Sequence, residues 1–134
     1  MSEPAVYLFV YGTLQPGFIN PFAQMLHHNS RCAGPGIMSG RLYNIGQYPG
    51  AVHDPNSSTS VHGTIFDITG TPNLLTSLDH YEGVGNPPTP ADEYIRDMVH
   101  ISFGTVELRC WTYLYNWPVL ESQQIVSGRY SMNE

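Results

Sequence analysis

The chain contains no lysine: its basic residues are five arginines, at positions 31, 41, 96, 109 and 129, set against eleven acids for a net charge of −6. Phosphate backbones and anionic lipid surfaces are bound by clustered cations, so neither nucleic acid nor a membrane is an expected partner. Charged residues make up only 12% of the chain and hydrophobic ones 41%, which argues against a disordered polymer and for a buried core. No apolar run approaches the ~18 residues of a bilayer span, and no basic stretch precedes the apolar start, so a cytoplasmic setting is expected. The two cysteines, Cys32 and Cys110, are far apart and lack metal-ligand spacing, which predicts two reduced thiols. The six histidines, at 27, 28, 53, 62, 80 and 100, never fall into His-x-His or His-x-x-x-His, so no metal is expected. A P-loop lysine, a Gly-x-Gly-x-x-Gly after the first strand and a Gly-x-Ser-x-Gly elbow are all missing. Their absence argues against nucleotide binding and acyl-serine chemistry, and no cofactor is expected.

What is present predicts one domain over residues 1–134, long enough to bury roughly two thirds of its unfolded surface. Residues 5–11 form a near-continuous apolar run, the pattern of a central strand buried on both faces. Asn20-Pro21 reads as an N-cap followed by proline at the first helical position, opening a short helix through His28. Residues 37–45 and 61–68 read as antiparallel partners, separated by turn-rich residues 46–50 and 54–56. Thr71-Pro72 repeats the cap-plus-proline signal, and Gly83 supplies the stop of a second helix. Residues 94–101 and 106–115 predict a hairpin across Ser102-Phe103-Gly104-Thr105. Trp117-Pro118 ends the regular core, and the tail is expected across one edge of the sheet. Six or so strands with two helices suggest an α+β fold with a closed or nearly closed sheet.

Two segments bear on chemistry. Tyr7-Leu8-Phe9-Val10-Tyr11-Gly12-Thr13-Leu14 runs from a buried strand into a glycine turn, where free N–H groups of Tyr11, Gly12, Thr13 and Leu14 can hold an anion. Leu78-Asp79-His80-Tyr81-Glu82-Gly83 closes the second helix, and helical spacing puts Glu82 on the same face as Leu75 and Leu78. A carboxylate there meets desolvation and the negative end of the helix dipole, and both raise its pKa. The plain alternatives stay open: a strand ending in Gly-Thr is an ordinary exit from a sheet, and Glu82 can sit in a frayed last turn.

With Tyr94-Ile95-Arg96 after the helix and Ile125-Val126-Ser127-Gly128-Arg129-Tyr130 near the end, these segments resemble the γ-glutamylcyclotransferase-like family, in its γ-glutamylamine cyclotransferase branch. The resemblance spans nearly the whole chain. It implies a small mixed, mostly antiparallel β-barrel with two flanking helices, a glycine loop for the glutamyl head, and a glutamate serving as acid and base. Glu82 is the matching catalytic residue, and the resemblance brings Tyr94 to the pocket beside the Gly12 turn. The implied partner is a small-molecule γ-glutamyl amide, cyclised to 5-oxoproline with release of an amine. Arg96, two residues beyond Tyr94, can also be a purely structural ion-pair partner. Two departures stand out: Gln15-Pro16-Gly17 follows the turn where the family often has a base, and residues 83–94 make a longer connection. The competing expectation is a non-catalytic module that binds a small molecule in the same pocket.

Overall fold

Strand β1 (Tyr7–Val10) is apolar on both faces because it is covered on both. Side chains alternate along a strand, so Leu8 and Val10 turn toward a cluster shared with the two helices, while Phe9 and the following Tyr11 turn into a second cluster with Met38, Leu42, Val61, Ile65 and Ile101. The computed structural model describes residues 4–71, 73–85 and 87–131.

After β1 come α1 (Pro21–His28), β2 (Arg31–Asn44), β3 (Pro49–His53), β4 (Ser60–Asp67), α2 (Leu74–Glu82), β5 (Tyr94–Phe103) and β6 (Val106–Tyr115). The strand order is β3-β2-β4-β1-β6-β5, and an added β2–β5 pairing at Ile37 and Ser102 closes five of the strands into a barrel. The β1–β6 pair is parallel and the others are antiparallel, so the barrel is mixed. This is the expected α+β barrel with two helices. Strand β3 extends β2 outside the closed ring.

The helix signals act at the atoms that define them. Asn20 Oδ1 accepts the Ala23 N–H at 2.8 Å and caps α1, with Pro21 in the first turn where its missing N–H costs nothing. Gly83 ends α2 at φ 76°, a left-handed conformation that favours glycine. The start of α2 differs from expectation. Asn73 occupies the cap position without a side-chain hydrogen bond, and the Thr71 hydroxyl instead donates to the Ile68 carbonyl at 2.6 Å. Pro72, the other half of that expected signal, lies outside the described residues.

Two strands also depart from expectation. Strand β2 begins six residues before position 37, at Arg31, because pairing with β4 carries it through Gly34-Pro35-Gly36 with an irregularity between Cys32 and Gly34. Strand β3 lies partly in the segment read as a turn; Pro49 is tolerated because it opens the strand, where no ladder donor is lost. The hairpin of β5 and β6 turns through Gly104 and Thr105 alone, with Gly104 at φ 61°. Beyond it, the tail is pinned across the barrel by Ile125 N–H to Leu42 O at 2.7 Å and His62 N–H to Gly128 O at 2.8 Å.

Candidate active site

Where β1 ends, the chain makes a turn whose acceptors are all used. The Gln15 amide donates to Tyr11 O at 2.8 Å, and Gln15 N–H donates to Gly12 O at 3.1 Å. Asn20 Nδ2 donates to Thr13 O at 2.8 Å, and His27 Nε2 lies 2.8 Å from Leu14 O. The N–H groups of Gly12, Thr13 and Leu14 donate to no group among the described residues. Carbonyls tied back and donors left open give a local excess of positive dipole, the arrangement that suits a carboxylate. Asn20 thereby does two jobs, capping α1 with its oxygen and holding the turn with its nitrogen.

Gly12 is required by contact, not by backbone conformation, since its φ is not positive. A Cβ there would stand 2.7 Å from Cγ of Pro49 in β3. The turn therefore seats directly against β3, and the two form one wall of a cleft of about 230 Å³.

Helix α2 delivers the opposite wall. Leu74 and Leu78 are buried against the barrel, and Glu82, one turn beyond Leu78, brings its carboxyl into the same cleft as the turn. No described residue donates a hydrogen bond to that carboxyl. Burial, and secondarily the charge of Glu93, raise its pKa from 4.5 to about 7. The end of the helix is held from two sides. Tyr81 Oη and Thr13 Oγ1 are 2.8 Å apart, which ties α2 to the turn. Asp79 accepts two bonds from Arg96, at 2.7 and 3.0 Å, and a third from the Tyr113 hydroxyl at 2.7 Å. The Arg96 guanidinium also lies 4.5 Å above the Trp111 ring. Arg96 is thus an ion-pair partner that anchors α2 to β5 and β6, outside the cleft lining.

Tyr11 and Tyr94 both line the cleft, but their hydroxyl protons are committed. Tyr11 donates to Tyr113 O at 2.6 Å and accepts the Ala51 N–H at 3.1 Å. Tyr94 donates to Pro49 O at 2.6 Å. Burial pushes both phenol pKa values upward, with Glu82 and neighbouring groups adding to it, so both stay neutral. They offer ring faces and fixed geometry.

The structure thus brings Tyr11, Gly12, Thr13, Leu14, Glu82 and Tyr94 to one cleft. It adds Tyr48, Pro49, Tyr81, Glu93 and Tyr113, which sequence spacing did not single out as site residues. Glu93 and Tyr81 had a signal in hand, since each is the immediate neighbour of an expected site residue. Tyr113 had one only through pairing, opposite Arg96 in the β5–β6 register. Among the described residues, no three His, Cys, Asp or Glu side chains gather in a way that would hold a metal ion.

Comparison with known proteins bears on this arrangement. The sequence profile of the family described as Gamma-glutamyl cyclotransferase, AIG2-like matches residues 8–132. The chain is 33% identical over 125 residues to the Gamma-glutamylcyclotransferase family protein YtfP of Escherichia coli (strain K12), covering 90% of this chain and 92% of the relative. An AIG2-like protein from Mus musculus superposes with a TM-score of 0.71 at 20% identity, over 96% of this chain and 90% of its own. YkqA from Bacillus subtilis gives a TM-score of 0.70 at 20% identity over 95% of this chain, and the chain spans 40% of YkqA. At these identities the two solved structures share the fold.

Proposed function

Because the chain belongs to the γ-glutamyl cyclotransferase, AIG2-like family, we propose that it is a γ-glutamyl cyclotransferase that converts a γ-glutamyl amide to 5-oxoproline and a free amine. The observation that carries this reading is the Glu82 carboxyl, half-buried, free of hydrogen bonds from described residues, and raised to a pKa of about 7 in the cleft that the Gly12 turn also lines. A group that changes protonation near neutral pH can take a proton and return it.

In this mechanism the open N–H groups of Gly12, Thr13 and Leu14 bind the α-carboxylate of the glutamyl head. Glu82 accepts a proton from the α-ammonium. The freed nitrogen lone pair attacks the γ-carbonyl carbon and closes a five-membered ring. As the tetrahedral centre collapses, the carbon–nitrogen bond to the leaving group breaks and Glu82 returns the proton to the departing nitrogen; the ring nitrogen then sheds its second proton through the same carboxylate, so that the amine leaves as an ammonium ion. Water is neither consumed nor released, and no enzyme nucleophile is needed. The cleft contributes mainly by holding the substrate folded back on itself, so that the two reacting atoms meet.

The alternative, a module that only binds a small molecule, accounts for the cleft but leaves the cost of an unpartnered, desolvated carboxyl without a purpose. The expected setting of the reaction is the cytoplasm, where the unpaired Cys32 and Cys110 stay reduced. The test is mass spectrometry of γ-glutamyl amides incubated with the protein. We expect 5-oxoproline from amides with a free α-amino group and none from the same amides acetylated there, because acylation removes the basic lone pair. Glu82→Gln should lower turnover by at least ~100-fold. Equal turnover of free and acetylated substrates would refute the reading.

A further inference from the structure

Ring closure creates a charge that neither the Gly12 turn nor Glu82 answers. As the α-nitrogen attacks, the γ-carbonyl oxygen takes up the electron pair of its double bond and becomes an oxyanion. Meeting such a charge with a donor already in place is usually the largest single contribution to catalysis. The open N–H groups of the turn serve the head carboxylate, and the proton on Glu82 is bound for the leaving nitrogen. The oxyanion calls for a further donor, and among the described residues no arginine or histidine lines the cleft to provide it.

Most side-chain protons in the cleft are already committed. The hydroxyl of Tyr11 donates to Tyr113 O, that of Tyr48 to Glu93, that of Tyr94 to Pro49 O and that of Tyr113 to Asp79. One pair of hydroxyls remains. Thr13 Oγ1 and Tyr81 Oη lie 2.8 Å apart, and between them they carry two protons for a single bond. Neither hydroxyl forms a second hydrogen bond among the described residues. Whichever of them donates to the other, one O–H is left over in the cleft that both line.

The pair also stands where the charge develops. Thr13 belongs to the turn that binds the glutamyl head, and Tyr81 precedes the base on α2, so the bridge joins the two groups between which the γ-carbon must lie. The Tyr81 ring is stacked on Phe22 of α1 with centroids 4.5 Å apart, which fixes its hydroxyl before a substrate arrives. Facing an anion, the phenol is the stronger donor of the two. It turns its proton outward and accepts from Thr13, and the second bond reinforces the first.

We propose that Tyr81 is a catalytic residue whose hydroxyl donates a hydrogen bond to the γ-oxyanion, with Thr13 donating in turn to Tyr81 Oη. The proton stays on the phenol throughout. The assignment rests on the cyclotransferase reading for the attacking group, and the same oxyanion forms if water attacks instead.

Tyr81→Phe keeps the ring and removes only the hydroxyl. It should lower kcat by ~100-fold or more with KM nearly unchanged, the signature of an interaction made only in the transition state. Thr13→Val, which leaves the phenol in place, should lower kcat less, and adding it to Tyr81→Phe should lower it little further. A merely structural tie would lower Tm and leave kcat of the folded protein near normal. Near-normal kcat in Tyr81→Phe, or a larger loss in Thr13→Val, would overturn the proposal. Calorimetry gives a readout without turnover. Its probe is the glutamyl head with a methyl phosphonate monoester in place of the γ-amide, a tetrahedral anion at the position of the oxyanion. Tyr81→Phe should bind it at least ~10-fold more weakly than wild type, as for a lost hydrogen bond to a charged group, and should bind the planar α-acetylated amide as wild type does. Equal affinity of the two proteins for the phosphonate would overturn the proposal. If the wild type releases no 5-oxoproline from any amide, the cyclotransferase reading fails by itself, and the phosphonate comparison alone decides the role of Tyr81.

Discussion

Replacing Glu82 with glutamine should remove one pH-dependent component of the protein's stability. In the folded state burial and Glu93 hold the carboxyl's pKa at about 7, against 4.5 for an unburied glutamate. At ~1.4 kcal/mol for each pH unit of that gap, ionising Glu82 in place costs about 3.5 kcal/mol. The sign follows from proton binding. Between the two values the folded state holds a proton that the unfolded chain has lost, so stability falls as pH rises. The favourable contribution is complete below pH 4.5, declines through about 7, and is absent above that. Glutamine stays neutral throughout. The wild-type protein should therefore lose most of this, about 3 kcal/mol, relative to Glu82→Gln between roughly pH 4 and pH 8, or about 10 °C in Tm for a chain of this size. Denaturant titrations of the two proteins in parallel, at matched ionic strength, measure this directly, and the histidines largely cancel in the difference. A difference that stays constant across this range would mean that Glu82 ionises as if in water, and the argument for it as a base would fail.

Two further substitutions probe what positions the cleft. Gly12→Ala places a Cβ against Pro49, at 2.7 Å from its ring, and should cost ~1–3 kcal/mol as overpacking while weakening γ-glutamyl ligand affinity more than it lowers Tm; full affinity in the folded variant would make Gly12 purely structural. Asp79→Asn removes the charge that Arg96 and the Tyr113 hydroxyl share, at sites about one-fifth exposed, and should destabilise by ~1–3 kcal/mol. A double-mutant cycle with Arg96→Ala checks it, since additive losses would show that the two residues do not act together.

Local chemistry made part of this molecule readable from its sequence. Asn20-Pro21 and Gly83 act through hydrogen bonds and backbone angles within a few residues, so the end of each helix that they govern could be placed. The position of Glu82 followed from helical spacing from Leu78. Strand β3 and the first half of β2 were not readable, because Pro49 and Gly34-Pro35-Gly36 carry turn chemistry that pairing with distant strands overrides. The same holds within the site. Tyr48 and Tyr113 reach the cleft through strand pairing and loop placement, and no spacing along the chain predicts either. The tying back of the Thr13 and Leu14 carbonyls depends on Asn20 and His27, whose capping and apparent helical roles conceal the second task. A sequence can suggest open N–H groups in a glycine turn; which acceptors are occupied is a property of the fold.

The central claim is that the substrate's own α-nitrogen, and not water, attacks the γ-carbonyl. Turnover in heavy-oxygen water, with the first-formed product followed by mass spectrometry, tests it most directly. The account predicts 5-oxoproline carrying no label, because no water oxygen enters the product. Labelled glutamate as the first product would show hydrolysis and contradict the account, even if Glu82 proved essential to the rate.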